Sequence, residues 1–326
     1  MNYKNTYVRK IIGGVLCFVA IWAVVSLLIV TGVLPRSVQC LTGKICYYII
    51  LALSLDLIVG YLGDLSLGHA AFYAVGAYSG CAFAVYTNLP LLPKFVLALI
   101  IGGLCAALVG YLISSAIIKL RGDYLAIVTL AFGEFIRSFV KIIPGLGGTK
   151  GLIGIPSFES RFGSFTAAYI VVGLVVLCIF NFTHSRHGRM ITAIRDNAIA
   201  AESVGINIKQ TKVLVFALSS FMAGMAGVLF GFYKTTLSPS DFTYNLSIEV
   251  LVMVVLGGMG SIRGSIIASV IIVALPEFLR GADNYRMLIY AIALIAMMML
   301  NASPRFTAMK RKVSESISQL RSRVKR

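Results

Sequence analysis

The stretch Ser185–Lys212, SRHGRMITAIRDNAIAAESVGINIKQTK, lies between two long apolar runs and is the longest internal passage rich in charge. The rest of the chain is organised around it. Ile191, Ile194, Ala198 and Ala201 recur at spacings of three, four and three, so one helix through this stretch carries an apolar stripe. Arg195, Asp196, Asn197, Glu202 and Ser203 fall mostly on other faces, and Gly205 suits a helix end. An amphipathic helix between membrane spans has three ordinary uses: docking on a partner, lying on a lipid surface, or connecting. The pattern alone leaves these open.

Outside that polar island the chain is apolar. Of its 326 residues 59% are hydrophobic and 13% charged, and the mean hydropathy is +0.92. A soluble domain needs more polar surface, so the expected class is all-α and polytopic, in contact with membrane lipid. A net charge of +17 raises the question of nucleic acid, but the placement of the charges answers it. Eight Lys and Arg residues lie in the tail from Arg305 to Arg326, three precede residue 11, and five lie in Ser185–Lys212. All flank apolar spans, as cytoplasmic segments beside a membrane do. The cysteines at 17, 40, 46, 81, 105 and 178 show no metal spacing and read mostly as small core residues.

After the basic head (Lys4, Arg9, Lys10), an uncharged run from Ile11 to Pro35 is about 37 Å long as a helix, enough to span. Further spans are expected at 45–61, 65–87, 95–118, 123–143, 165–183, 213–233, 246–262, 264–279 and 285–302. A basic head and a basic tail on one side require an even number. About ten transmembrane helices satisfy this, within a range of 8–10 if some are broken or re-entrant, with GGMGSIRG at 257–264 turning at the cytoplasmic face. The organisation is then a transmembrane domain over 1–304, with the cytoplasmic loop 185–212 inside it, and a basic cytoplasmic tail over 305–326.

Gly60, Gly63, Gly68, Gly76 and Gly80, with Gly224, Gly227 and Gly231, indicate close helix packing, or broken helices lining a path. PGLGGTKGLIG at 144–154 is no phosphate loop, because the required Gly-Lys-Ser/Thr is missing and no strand precedes it. Glu134 and Arg137 stand three apart on one expected helix, as a structural pair or as part of a solute path. Asp56, Asp64, Glu249 and Glu277 lie near span ends, where solvated or capping positions are expected. His69 reads as a hydrogen-bonded packing residue. No nucleophile with a base and no cluster of metal ligands stands out, so catalytic and metal sites are expected to be absent.

Five motifs occur in order: GYLGDLSLGHAAFYAVGAY (60–78), RGDYLAIVTLAFGEFIR (121–137), GGTKGLIGIP (147–156), AIRDNAIAAESVGIN (193–207) and VLGGMGSIRGSIIAS (255–269). Together they resemble the permease subunits of branched-chain amino-acid ABC transporters, in particular the M-type subunit, over roughly residues 45–300. The resemblance implies a second homologous permease, two cytoplasmic ATPase subunits and an extracytoplasmic solute-binding protein as partners. It also implies a small-molecule substrate, leucine, isoleucine or valine, imported across a bacterial inner membrane, with no cofactor bound by this chain. Urea, short amides or another small solute are the alternatives within the superfamily, and an ion-coupled secondary transporter is the alternative mechanism. ABC importer permeases commonly carry a cytoplasmic loop resembling Glu-Ala-Ala, three residues, then Gly. Here Ala200, Ala201 and Gly205 keep that spacing, while Ile199 stands at the Glu position. By this resemblance Ile194, Arg195, Asp196, Ala198, Ala200, Ala201, Glu202 and Gly205 contact an ATPase, and Asp64, His69, Glu134 and Arg137 remain path or packing residues.

Overall fold

The computed structural model describes residues 18–31, 35–118, 120, 122–158, 160–278 and 291, 292 and 295. The basic head, the tail over 305–326, most of the last expected span and the boundary at 304 lie outside the described residues. The chain divides into two compact units, Met1–Val270 and Ile271–Arg326, and the account below concerns the first.

The helices are α1 (Phe18–Val30), α2 (Arg36–Asp56), α3 (His69–Tyr86), α4 (Leu91–Ile117), α5 (Asp123–Ile142), α6 (Arg161–His184), α7 (Arg186–Asp196), α8 (Ala198–Ser203), α9 (Ile208–Lys234), α10 (Tyr244–Gly257) and α11 (Ile262–Phe278). Among the described residues five segments are long and apolar enough to cross a membrane: Ser37–Leu62, Leu91–Ile117, Arg161–His184, Ile208–Lys234 and Pro239–Gly257. Four expected spans, α1, α3, α5 and α11, are not among them, α1 and α11 because their described helices are shorter. In α3 the Ala, Gly, Ser and Tyr content dilutes the apolar character, and α5 carries Asp123, Glu134, Arg137 and Lys141.

These two helices depart from the lipid-facing pattern for different reasons. α3 is buried on most of its circumference and packs on α4 and α9. Its small residues permit that approach. A Cβ on Gly76 would overlap the backbone of Gly224, and one on Gly227 would overlap the backbone of Tyr73 and Ala77. Close backbone contact of this kind gains dispersion without relying on water exclusion, which is unavailable between helices in lipid. α4 and α6, by contrast, turn Leu104, Leu108, Ile170 and Leu174 outward, as lipid-facing spans do.

α2 does not end cleanly. It passes into a π-helical turn, Leu57–Leu62, which Gly63 closes in the left-handed conformation at φ 81°. A residue with a Cβ meets steric cost there. The chain then runs irregularly to Gly68 before α3 begins, so the second and third expected spans form one broken pair. At the opposite end of α9, Leu152 and Ile153 pair antiparallel with Leu237 and Thr236. This two-stranded pairing, which the all-α expectation lacked, holds the Pro144–Gly154 loop against the end of α9.

Candidate functional site

The break between α2 and α3 gathers polar groups from four other segments. Three of them satisfy backbone groups of the interrupted pair, at Ser54 O, Leu67 N–H and Ala70 N–H. The Ser54 hydroxyl and His69 Nε2 are 2.7 Å apart, and Ser219 Oγ donates to Ser54 O at 2.5 Å. Ala70 N–H donates to Ser247 Oγ at 2.9 Å, and Leu67 N–H to Thr129 Oγ1 at 3.0 Å. Gly260 N–H, from the glycine-rich turn between α10 and α11, donates to Asp56 Oδ1 at 2.8 Å. His69 is thus a hydrogen-bonded packing residue, as its sequence context suggested. Asp56 is neither solvated nor a helix cap: it is 1% exposed, makes no side-chain capping bond, and accepts instead from the Gly260 turn. Asp64 is also not solvated, because Lys212 Nζ stands 2.6 and 2.8 Å from its two oxygens.

The central loop packs against this break from outside. The single helix expected there is two helices, and Asn197 is the reason. It adopts φ −158° and ψ 104°, and its Oδ1 accepts from Ala200 N–H at 3.1 Å, capping α8. Ser185 and Asn207 cap α7 and α9 in the same way, and Gly205, at φ 86°, follows the end of α8 as expected.

The apolar stripe also has a different partner from the one its pattern suggested. Ile191, Ile194 and Ala201 are buried with Leu57, Ile58 and Leu62 of the π turn and Val215 and Phe216 of α9, with Ala198 packed at the edge. Burying one such aliphatic side chain is worth about 1.5–3 kcal/mol. The stripe therefore belongs to this chain's own core, and the reading of Ile194 and Ala201 as partner contacts is corrected. What faces outward is the other side of α8. Ile199 is 77% exposed and Val204 76%, with Ala200, Glu202, Ser203 and Gly205 exposed beside them. Arg195 bridges the two faces. Its Nη1 donates to Gly60 O at 3.0 Å within the break, while Nη2 lies 3.4 Å from exposed Asp196.

A second polar locus lies on α5. Arg137 Nη1 and Glu134 Oε2 are 2.7 Å apart, and Glu134 Oε1 accepts from Tyr244 N–H, at the start of α10, at 3.3 Å. The structure thus joins Asp64 and His69 to the break, places Arg195 against it, and leaves Glu134 and Arg137 as a separate pair. The Lys212, Gly260 and Gly60 contacts were not anticipated, since each bonds across 135 or more residues of sequence.

A broken, largely buried helix pair beneath a two-faced loop, within a set of apolar spans, defines a polytopic membrane protein of the permease type. The chain belongs to the family described as "Branched-chain amino acid transport system / permease component", which matches residues 38–300. The chain is 35% identical over 282 residues to the "High-affinity branched-chain amino acid transport system permease protein LivM" of Escherichia coli (strain K12), covering 77% of this chain. The chain spans 65% of that relative's length. It is also 25% identical to the "Probable branched-chain amino acid transport permease protein LivM" of Methanocaldococcus jannaschii, over 67% of this chain and 74% of that one. Identity to the E. coli LivH permease is 23%, over 69% of this chain and 79% of LivH.

Proposed function

We propose that this chain is the membrane-spanning permease subunit of an ATP-driven importer of the branched-chain amino acids leucine, isoleucine and valine. It pairs with a second homologous permease to enclose the solute path. An extracytoplasmic solute-binding protein delivers the solute, and two cytoplasmic ATPase subunits drive the cycle. The chain binds no cofactor and hydrolyses no ATP itself. It resides in a bacterial inner membrane, crossing it about ten times, with Ser185–Lys212 and both termini in the cytoplasm. The names of the related permeases support the solute class, and the basic residues of head, loop and tail support the orientation.

One observation carries the mechanism: α8 is bare on its outer face while its inner face is part of the core that contains the helix break. An ATPase seated on Ile199 and Val204 moves α7 and α8 as one piece. That piece cannot move without shifting Leu57–Leu62, because their side chains interdigitate and Arg195 holds Gly60 O. The π turn and Gly63 are the compliant elements, and α3 follows them.

The test is copurification of the ATPase subunits with Ile199→Asp and Val204→Asp. Each variant places a carboxylate where an apolar contact is expected, and should lose about tenfold or more in association. Insertion and folding should be unchanged, since both positions are exposed. Undiminished copurification with both variants would return the loop to a connector. Saturable ATP turnover by the purified chain alone would overturn the passive-permease reading.

A further inference from the structure

The helix α5 has a row of half-buried residues, Leu130, Glu134, Arg137 and Lys141, at spacings of four, three and four. The row runs along one margin of an exposed stripe containing Ile127, Phe135, Phe139 and Ile142. Where the importer reading takes α5 as a span, a glutamate and an arginine at 34% and 25% exposure in its body are costly against hydrocarbon, so this margin faces water or protein.

The pair also uses only part of its capacity. A guanidinium has five N–H donors. Among the described residues Arg137 engages Glu134 through Nη1, and its buried Nε has no partner. Glu134 Oε1 takes one backbone N–H from Tyr244 at 3.3 Å. The pair sits two-thirds of the way along α5, near the Pro239–Asp241 turn and away from the loop that the importer reading places in the cytoplasm.

We propose that Glu134 and Arg137 form a binding station for a zwitterionic amino acid, Arg137 taking the carboxylate and Glu134 the ammonium. This rests on the importer reading and names residues of its path. The solute exchanges one intramolecular ion pair for two intermolecular ones, so no uncompensated charge stands in the membrane at any stage. Arginine suits the carboxylate because its planar fork binds both oxygens. Leu130, half-buried one turn from Glu134 in the same row, offers an apolar surface to an aliphatic side chain. Re-closure of the pair releases the solute, which keeps occupancy transient as transport requires.

The test uses the whole complex in proteoliposomes: this chain with its partner permease, ATPases and binding protein. A purely structural ion pair can be replaced by apolar residues of similar volume with little loss. The double variant Glu134→Met/Arg137→Met should therefore keep thermal stability and ATPase copurification while leucine uptake falls about tenfold or more. Uptake within twofold of the unsubstituted complex would overturn the assignment. If the double variant does not assemble, Glu134→Gln keeps an oxygen for Tyr244 N–H. It should raise the KM for leucine about tenfold while thermal stability and ATPase copurification are kept, and an unaltered KM would overturn the assignment. If the unsubstituted complex imports none of the three amino acids, the importer reading fails and this assignment falls with it.

Discussion

Replacing Lys212 by methionine should destabilise the protein far more than removing both members of the pair to which it belongs. Lys212 Nζ contacts both oxygens of Asp64 at 2.6 and 2.8 Å, and the two side chains are 12% and 13% exposed. At an effective dielectric near 20, unit charges at contact distance attract by about 4 kcal/mol. Lys212→Met removes the cation and leaves the carboxylate in place, at a cost of about 3–5 kcal/mol. Asp64→Asn should cost less, about 1–3 kcal/mol, because the flexible lysine stem lets its ammonium swing toward the loop surface. The double variant should lose no more than about 1.5 kcal/mol, since neither charge is stranded. The assay is the thermal midpoint of the detergent-purified protein for all four members of the cycle. Lys212→Met should fall by roughly 5–15 °C and the double variant should recover most of that loss. Effects that add within about 0.5 kcal/mol would refute the coupling, and with it the idea that α9 holds the broken helix in register by this contact.

Gly227→Leu should cost at least about 1–3 kcal/mol and reduce the yield of monodisperse protein, because a side chain there meets the backbone of Tyr73 and Ala77. Gly145→Ala, with open space around it, should be neutral in the same measurement. In a cysteine-free background, Lys150→Cys should react with a membrane-impermeant maleimide in intact spheroplasts, and Ser203→Cys only after permeabilisation. Reaction of both from the same side would contradict their placement at opposite ends of α9.

Much of the candidate site was legible in the sequence wherever the signal was local. The apolar residues at 191–201, the pairing of Glu134 with Arg137 and the small residues of the packed helices show as spacings of three or four, and the stop at Gly205 as a single residue type. The helix interruption was half legible, as a cluster of glycines with two aspartates. The two-helix character of the loop depended on Asn197, a residue whose helix propensity is only mildly poor but whose side chain caps a new helix when the backbone turns extended.

Composition and charge placement were enough for the class of protein, because burial in lipid demands long apolar helices and places basic residues beside them. Motifs spread over most of the chain were enough for the family. Which way the loop faces emerged only with the packed fold. Periodicity shows that Ile194 and Ala201 need an apolar partner, but an amphipathic pattern reads the same whether that partner is another subunit or the same chain. The partner was chosen by the π turn of α2 and by α9, which present Leu57, Ile58, Val215 and Phe216 to the same space. The bonds Lys212–Asp64, Arg195–Gly60 and Gly260–Asp56 were hidden for the same reason: each joins helices whose relative placement no local spacing encodes.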